Sequence, residues 1–407
     1  MKSRIRIILS LLLAFSIISS TAIFAADTYD LASETYQYEA GSYLLKEESS
    51  ESEEESYLTE AEDELDHPEM VLSANKGLSI YTQEISSGAL NFADEAFDSL
   101  LQTAIQSNSM NMGSQTSLGT PFTIQNTEVQ VYYFPVISDG AIIGSLRIWH
   151  DDIRYTGMLS QYLAQELNAV LRRRDVSGAI SLYYDNGNLM MQANSNVEIL
   201  SPSPLGDDPE LFGFEVNSRD FREISPLEIT TSEITRNQIS TRNVQQRFLP
   251  VHILETQGNN SWCGAFATSM VIRHRLNNRL APNVNSLMTD ANPNGFNIHT
   301  RFSQQNTLDA ARRRGFNPTW SRNSLPMNSV ITDINNNRAI YFIANNPQVG
   351  GHAMVIRGYS STPNQQSLNQ YSIWNPWEPF FDIMMANTNQ VVLRGRVYTW
   401  SETIHRW

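Results

Sequence analysis

The sequence predicts an α+β protein built from two folded domains, and three observations lead there. A chain of 407 residues is longer than the ~250 to 300 at which a single hydrophobic core stops growing. In its first half two turn signals, Ser138-Asp139-Gly140 and Asn186-Gly187, each sit between runs of strand-forming residues, the pattern of antiparallel hairpins. In its second half one helical stretch precedes a series of strand-like runs, so helix and sheet are segregated rather than alternating.

Residues 1–26 read as a secretory signal peptide: Lys2, Arg4 and Arg6 form a basic start, 7–18 an apolar run, and the small residues before and at Ala25 and Ala26 a cleavage site. The apolar run falls short of the ~20 residues a bilayer span requires, and no later stretch approaches that length. An exported bacterial protein, soluble outside the cell and without a membrane partner, is expected. Residues 27–74 carry Glu47, Glu48, Glu51, Glu53, Glu54 and Glu55 and stay acidic through 60–66. Such a segment cannot bury enough apolar surface to offset its ordering entropy, so it is expected to be disordered.

Residues 75–215 read as a small α+β domain with a curved antiparallel sheet. Strands at 129–136 and 141–149 flank the first turn, and strands at 180–184 and 189–192 flank the second. Between them Leu159, Leu163, Leu167 and Leu171 recur every four residues, the spacing of one apolar helix face. His150, Asp151 and Asp152 stand at a strand end, where a turn or cap explains them better than catalysis. Residues 216–246 lose periodicity and turn polar, a linker in which Arg236 and Arg242, with Arg247 just beyond, offer cleavage points. Residues 247–407 form the second domain, with a helix over 261–276 and strands at 339–344, 352–359, 371–375 and 391–397 between turns rich in Gly, Pro and Asn.

Charge divides along the same boundary. Residues 1–245 hold 14 Lys plus Arg against 36 Asp plus Glu, net −22, whereas 246–407 hold 14 arginines, no lysine and 7 acids, net +7. The halves are expected to attract one another. Nucleic-acid binding by the basic half is disfavoured, because its arginines are scattered and the run Arg312, Arg313, Arg314 suits a solvated helix face.

The chain has a single cysteine, Cys263, so no intrachain disulfide can form. It stands in Asn259-Asn260-Ser261-Trp262-Cys263-Gly264-Ala265, at the start of the predicted helix. There the unpaired N–H groups and the positive end of the dipole favour a thiolate, the form that acts as a nucleophile. Gln257, six residues upstream, can offer its amide to the oxygen that becomes negative when a carbonyl is attacked. Of the histidines in this domain, His352 follows Gly350-Gly351 and opens an apolar strand, which puts its ring at the mouth of a sheet. For His252, His274, His299 and His405 a structural role is favoured. Asn375, in Trp374-Asn375-Pro376-Trp377, can accept the N–H of His352 and hold its ring, with Trp377 lying over the contact. One cysteine, scattered histidines and no His-Glu-x-x-His motif give no zinc ligand set, and neither metal nor cofactor is expected.

Taken together, Gln257, Asn260-Ser261-Trp262-Cys263, Gly351-His352-Ala353 and Trp374-Asn375-Pro376-Trp377 resemble the papain clan and, within it, the staphopain family of secreted bacterial cysteine proteases. The resemblance spans the C-terminal domain and implies a papain-like catalytic fold with Cys263, His352, Asn375 and Gln257 as catalytic residues and proteins as substrates. The preceding domain is similar in layout to the family's propeptide, a half-barrel that inhibits its own enzyme, and a separate protein inhibitor is a further partner to look for. The acidic segment has no counterpart in that pattern. Two other readings stay open: a cell-wall peptidase cutting peptidoglycan stem peptides, and a non-catalytic binding protein on the same scaffold.

Overall fold

In a computed structural model, residues 78–113, 115–173, 175–176, 178–204, 222–224, 244–363 and 365–407 are described. The expected signal peptide and acidic segment, and most of the expected linker, lie outside them. The N-terminal part runs β1 (Leu78–Thr82), α1 (Ser87–Gln106), β2 (Thr116–Leu118), β3 (Phe122–Thr123), β4 (Val131–Ser138), β5 (Ala141–His150), β6 (Tyr155–Ser160), α2 (Ala164–Arg172), β7 (Gly178–Asp185), β8 (Asn188–Ala193), β9 (Asn196–Ser201) and β10 (Arg222–Ile224). The C-terminal part continues with β11 (Gln245–Phe248), α3 (Cys263–Leu276), α4 (Val284–Ala291), α5 (Gln304–Arg312), β12 (Thr319–Ser321), α6 (Met327–Asn335), β13 (Ile340–Asn346), β14 (Gly350–Ser361), β15 (Gln370–Trp374), β16 (Phe381–Met385), β17 (Gln390–Leu393) and β18 (Arg396–His405).

Both expected hairpins form, and for the expected reason. Asp139 and Gly140 have φ of 48° and 80°, Asn186 and Gly187 of 49° and 74°, the paired positive values of a two-residue turn whose twist matches the strands. Asp151 Oδ1 accepts from the N–H groups of Ile153 and Arg154, a local turn. Helix α1 is started by Ser86, whose hydroxyl accepts from Ala89 N at 3.1 Å. It buries Ala89, Ala93, Ala96, Phe97, Leu100 and Ala104 along one face.

Two expectations are corrected. The helix drawn through Leu159 begins only at Ala164. Leu159 lies instead in β6, opposite Leu146 of β5 on one side and Ile383 of β16 on the other. The single strand expected over 391–397 is a hairpin: β17 and β18 meet at Arg394 and Gly395, with φ of 49° and 77°.

Among the described residues one sheet follows the order β10-β1-β7-β8-β9 and the other β12-β18-β13-β14-β15-β16-β6-β5-β4-β2. The second crosses from the C-terminal to the N-terminal part between β16 and β6, so the two expected domains share one continuous sheet. Above that junction Ile383 and Met385 join Phe97, Leu100, Leu146, Ile148 and Leu159 in one apolar cluster. Polar contacts add to it. Glu128 accepts from Asn346 Nδ2 and Val397 N, both at 2.7 Å, and pairs with Arg396 at 3.4 Å. The buried Arg357 donates to Ser107 O at 2.6 Å and lies 3.7 Å from the ring centre of Phe381. Helix α3 packs against β14, which sets the thiol beside the strand that carries His352. Among the described residues no helix is long and apolar enough to cross a membrane.

Candidate active site

The site is built around two chain segments that fix each other. Residues 257–262 form a braced loop ahead of α3: Gln257 N donates to Pro376 O at 2.7 Å, Asn260 Oδ1 accepts from Trp262 N at 3.0 Å, and Ser261 N donates to Ile298 O at 2.7 Å. Trp262 donates its ring N–H to Asn297 O at 3.0 Å and packs edge-on against Phe296. Cys263 is therefore delivered half-buried at the first position of the helix. Gly264 follows because its Cα faces a carbonyl: a Cβ there would stand 2.4 Å from Phe302 O.

On the other side Gly350, with φ of 91°, turns the chain into β14, and His352 arrives 3% exposed opposite Ala344 of β13. Its Nε2 lies 2.7 Å from Asn375 Oδ1. The same oxygen accepts from Trp377 N at 3.1 Å, which fixes that end of the Asn375 amide as oxygen and so requires His352 Nε2 to donate. In the neutral ring the lone pair is left on Nδ1. Trp377 stacks on the imidazole with ring centres 3.9 Å apart and planes at 26°.

A cavity of about 260 Å³ is lined by Gln257, Cys263 and His352 together with Phe302, Tyr341 and Trp377. Gln257 is buried and donates Nε2 to Asn260 O; an amide nitrogen carries a second hydrogen that this bond does not use. Of the four residues singled out from sequence, Gln257, Cys263 and His352 border this cavity directly, and Asn375 stands behind His352. The other histidines are elsewhere. His405 Nδ1 lies 2.8 Å from Asp333 Oδ2 in the core, His252 and His299 are exposed, and His274 borders a separate hollow at the far end of α3. Among the described residues no group of three His, Cys, Asp or Glu side chains is placed to hold a metal.

Electrostatically the pair is held close to neutral. Burial pushes the Cys263 thiol up, against the N–H groups of Ala353, Gly264 and Cys263 itself and the charge of Arg301, which pull it down. Burial also pushes His352 down to about 4, opposed by its bond to Asn375. The helix start does favour the thiolate, as its position implies, but in this structure desolvation outweighs it.

Sequence reasoning did not find Arg301, Phe302, Tyr341, Ile343 or Tyr398, which also line the cavity. They come from separate parts of the chain and carry no local motif; only the packing of β13 and β18 beside α3 brings them together. Among the described residues none of 78–204 lines this cavity; Gly187, Ser203 and Pro204 line a separate small hollow that shares Trp377 and Tyr398 with it.

Residues 241–407 match the family described as staphopain peptidase C47. They belong to that family, and the chain is a papain-like cysteine protease. Relatives extend the likeness beyond this domain. Staphopain A of Staphylococcus aureus (strain Mu50 / ATCC 700699) is 24% identical over 312 residues, covering 71% of this chain and 79% of the relative. Staphopain B of Staphylococcus aureus is 23% identical over 316 residues, covering 70% and 77%. Such shares of the chain reach past 241–407 into its N-terminal half.

Proposed function

We propose that this chain is the inactive precursor of an exported endopeptidase that hydrolyses proteins through a Cys263, His352, Asn375 triad. The observation that carries the reading is the Asn375 oxygen: bound by Trp377 N–H, it accepts from His352 Nε2 and leaves Nδ1 as the base on a ring that shares a cavity with Cys263. In the reaction His352 Nδ1 takes the thiol proton as Cys263 Sγ bonds to the peptide carbonyl carbon. The oxyanion is met by the Cys263 N–H and the free hydrogen of Gln257 Nε2. The proton passes from His352 to the departing amine, the C–N bond breaks, and a thioester remains. Water, deprotonated by His352, adds to the thioester and releases the acid and the thiol. No cofactor enters these steps.

The N-terminal half is read as a propeptide of half-barrel form that holds its own enzyme inactive, removed by cleavage in the polar linker. Its support is the continuous sheet across β6 and β16 and the hollow in which Gly187, Ser203 and Pro204 meet Trp377 and Tyr398, two residues that also line the cavity. The basic start and apolar run of residues 1–26 support export.

The test is to express residues 27–407 beside a Cys263→Ala version and follow casein digestion and the N-terminal sequence with time. Maturation to a fragment beginning between about 230 and 250, with casein digestion, in the wild type alone is the expected result. Intact casein after the linker has been cut by an added trypsin-like protease would overturn the reading.

A further inference from the structure

The catalytic reading leaves one cleft residue without a task. Arg301 is exposed, lines the same cavity as Cys263 and His352, and lies close enough for its charge to act on the thiol. It stands two residues before Ser303, which caps α5 by accepting from Asn306 N. Among the described residues Arg301 has no hydrogen-bond or ion-pair partner. Three far less exposed arginines of the C-terminal part are paired: Arg273 with Glu255, Arg394 with Glu378 and Arg396 with Glu128. Among the described residues no carboxylate lines the cavity, whose lining beyond the catalytic residues includes the apolar Phe302, Ile343 and Val349 and the uncharged polar Ser303, Gln304 and Asn345.

A guanidinium without a carboxylate partner in a partly enclosed cleft meets a substrate carboxylate more strongly than it would in open water. Its planar fork matches both carboxylate oxygens. It also repels Lys and Arg, so it discriminates by exclusion as well as by attraction. We propose that Arg301 selects substrates carrying an Asp or Glu side chain close to the scissile bond. This rests on the reading of the cleft as a peptide-hydrolysing site. It adds a substrate class, acidic peptides, that the triad alone does not define.

The experiment uses enzyme matured from the full chain, with wild type, Arg301→Ala and Arg301→Glu assayed on fluorogenic peptides. The peptides differ only in Glu, Gln or Lys, placed in turn at each position flanking the cleaved bond. At one position the wild type should prefer Glu to Gln. The ratio of the two kcat/KM values should fall about three- to fivefold in Arg301→Ala, the size of an exposed ion pair. Arg301→Glu should reverse the order so that Lys leads, and added salt should erode the wild-type preference. Equal rates for Glu, Gln and Lys at every position, or a Glu preference that survives both substitutions, would overturn the proposal. A wild type that cleaves none of the peptides while Cys263 stays inert to iodoacetamide would overturn the hydrolytic reading, and this proposal with it.

Discussion

Trp377 and His352 lie nearly parallel with ring centres 3.9 Å apart, while the Trp377 N–H binds the Asn375 oxygen that holds the same imidazole. One residue thus covers the His352–Asn375 bond and orients it. Asn375→Ala removes the acceptor and lets the ring turn, and kcat should fall on the order of 10²-fold with little change in KM. Trp377→Phe keeps a stacking face and deletes a buried ring N–H that has no partner, so its loss should be severalfold at most. Steady-state kinetics on one peptide, with circular dichroism to confirm folding, compares them.

The depressed His352 makes a prediction about stability. Its folded pKa of about 4 lies below the ordinary histidine value, so between those values the unfolded chain binds the extra proton. The stability it contributes is present above about pH 6.5 and is lost as pH falls towards 4, by about 3 kcal/mol at full extent. Glu378 and Asp382, pushed up by burial to about 7 and about 6, act in the opposite sense. Their contribution is present at low pH and is lost as pH rises through those values. Melting temperature against pH should therefore be compared between a Cys263→Ala precursor and the same protein with His352→Gln. The difference between the curves should shrink steadily from pH 7 to pH 4; a constant difference would contradict the buried, neutral ring.

How much of this was legible follows from where each signal resides. Cys263, His352 and Asn375 each carry a local mark: a helix start, a double glycine before a strand, and an Asn between tryptophans. Cys263 and His352 line one cavity, and Asn375 bonds His352. Helix α1 escaped notice because its buried stripe is mostly alanine, which weighs little in a hydrophobic pattern, and α4 to α6 were too short to announce themselves. Leu159 misled because a four-residue spacing to Leu163 coincided with a strand running into a turn; Leu163 itself has φ of 72° and cannot continue a helix. Arg301, Tyr341 and Tyr398 were invisible because a cleft wall assembled from a loop and two distant strands leaves no periodic trace.

Gly264 offers a test in which propensity and packing disagree. In an exposed helix Gly→Ala stabilises by up to about 1 kcal/mol. Here the added Cβ would sit 2.4 Å from Phe302 O and 3.3 Å from Tyr341 Oη, one residue after Cys263. Gly264→Ala should therefore destabilise by about 1–3 kcal/mol and depress activity further than that loss explains, since α3 must shift to relieve the contact. Urea unfolding of the matured domain measures the first effect and iodoacetamide reactivity of Cys263 the second.

Leu159 tests the proposal that the N-terminal half, through the shared sheet, restrains the full-length chain. It is 1% exposed and pairs with Ile383, itself fully buried, so Leu159→Ala should cost about 2–5 kcal/mol. Because the cavity falls between β6 and β16, part of that cost weakens docking of one half on the other. If the N-terminal half restrains the enzyme, a full-length Leu159→Ala precursor should digest a small peptide before any linker cleavage, where the wild-type precursor does not. Arg147 donates to Val392 O across the same junction at 2.9 Å, and Arg147→Ala should act in the same direction. A destabilised full-length Leu159→Ala chain that remains silent until the linker is cut would show that this junction serves folding and not restraint.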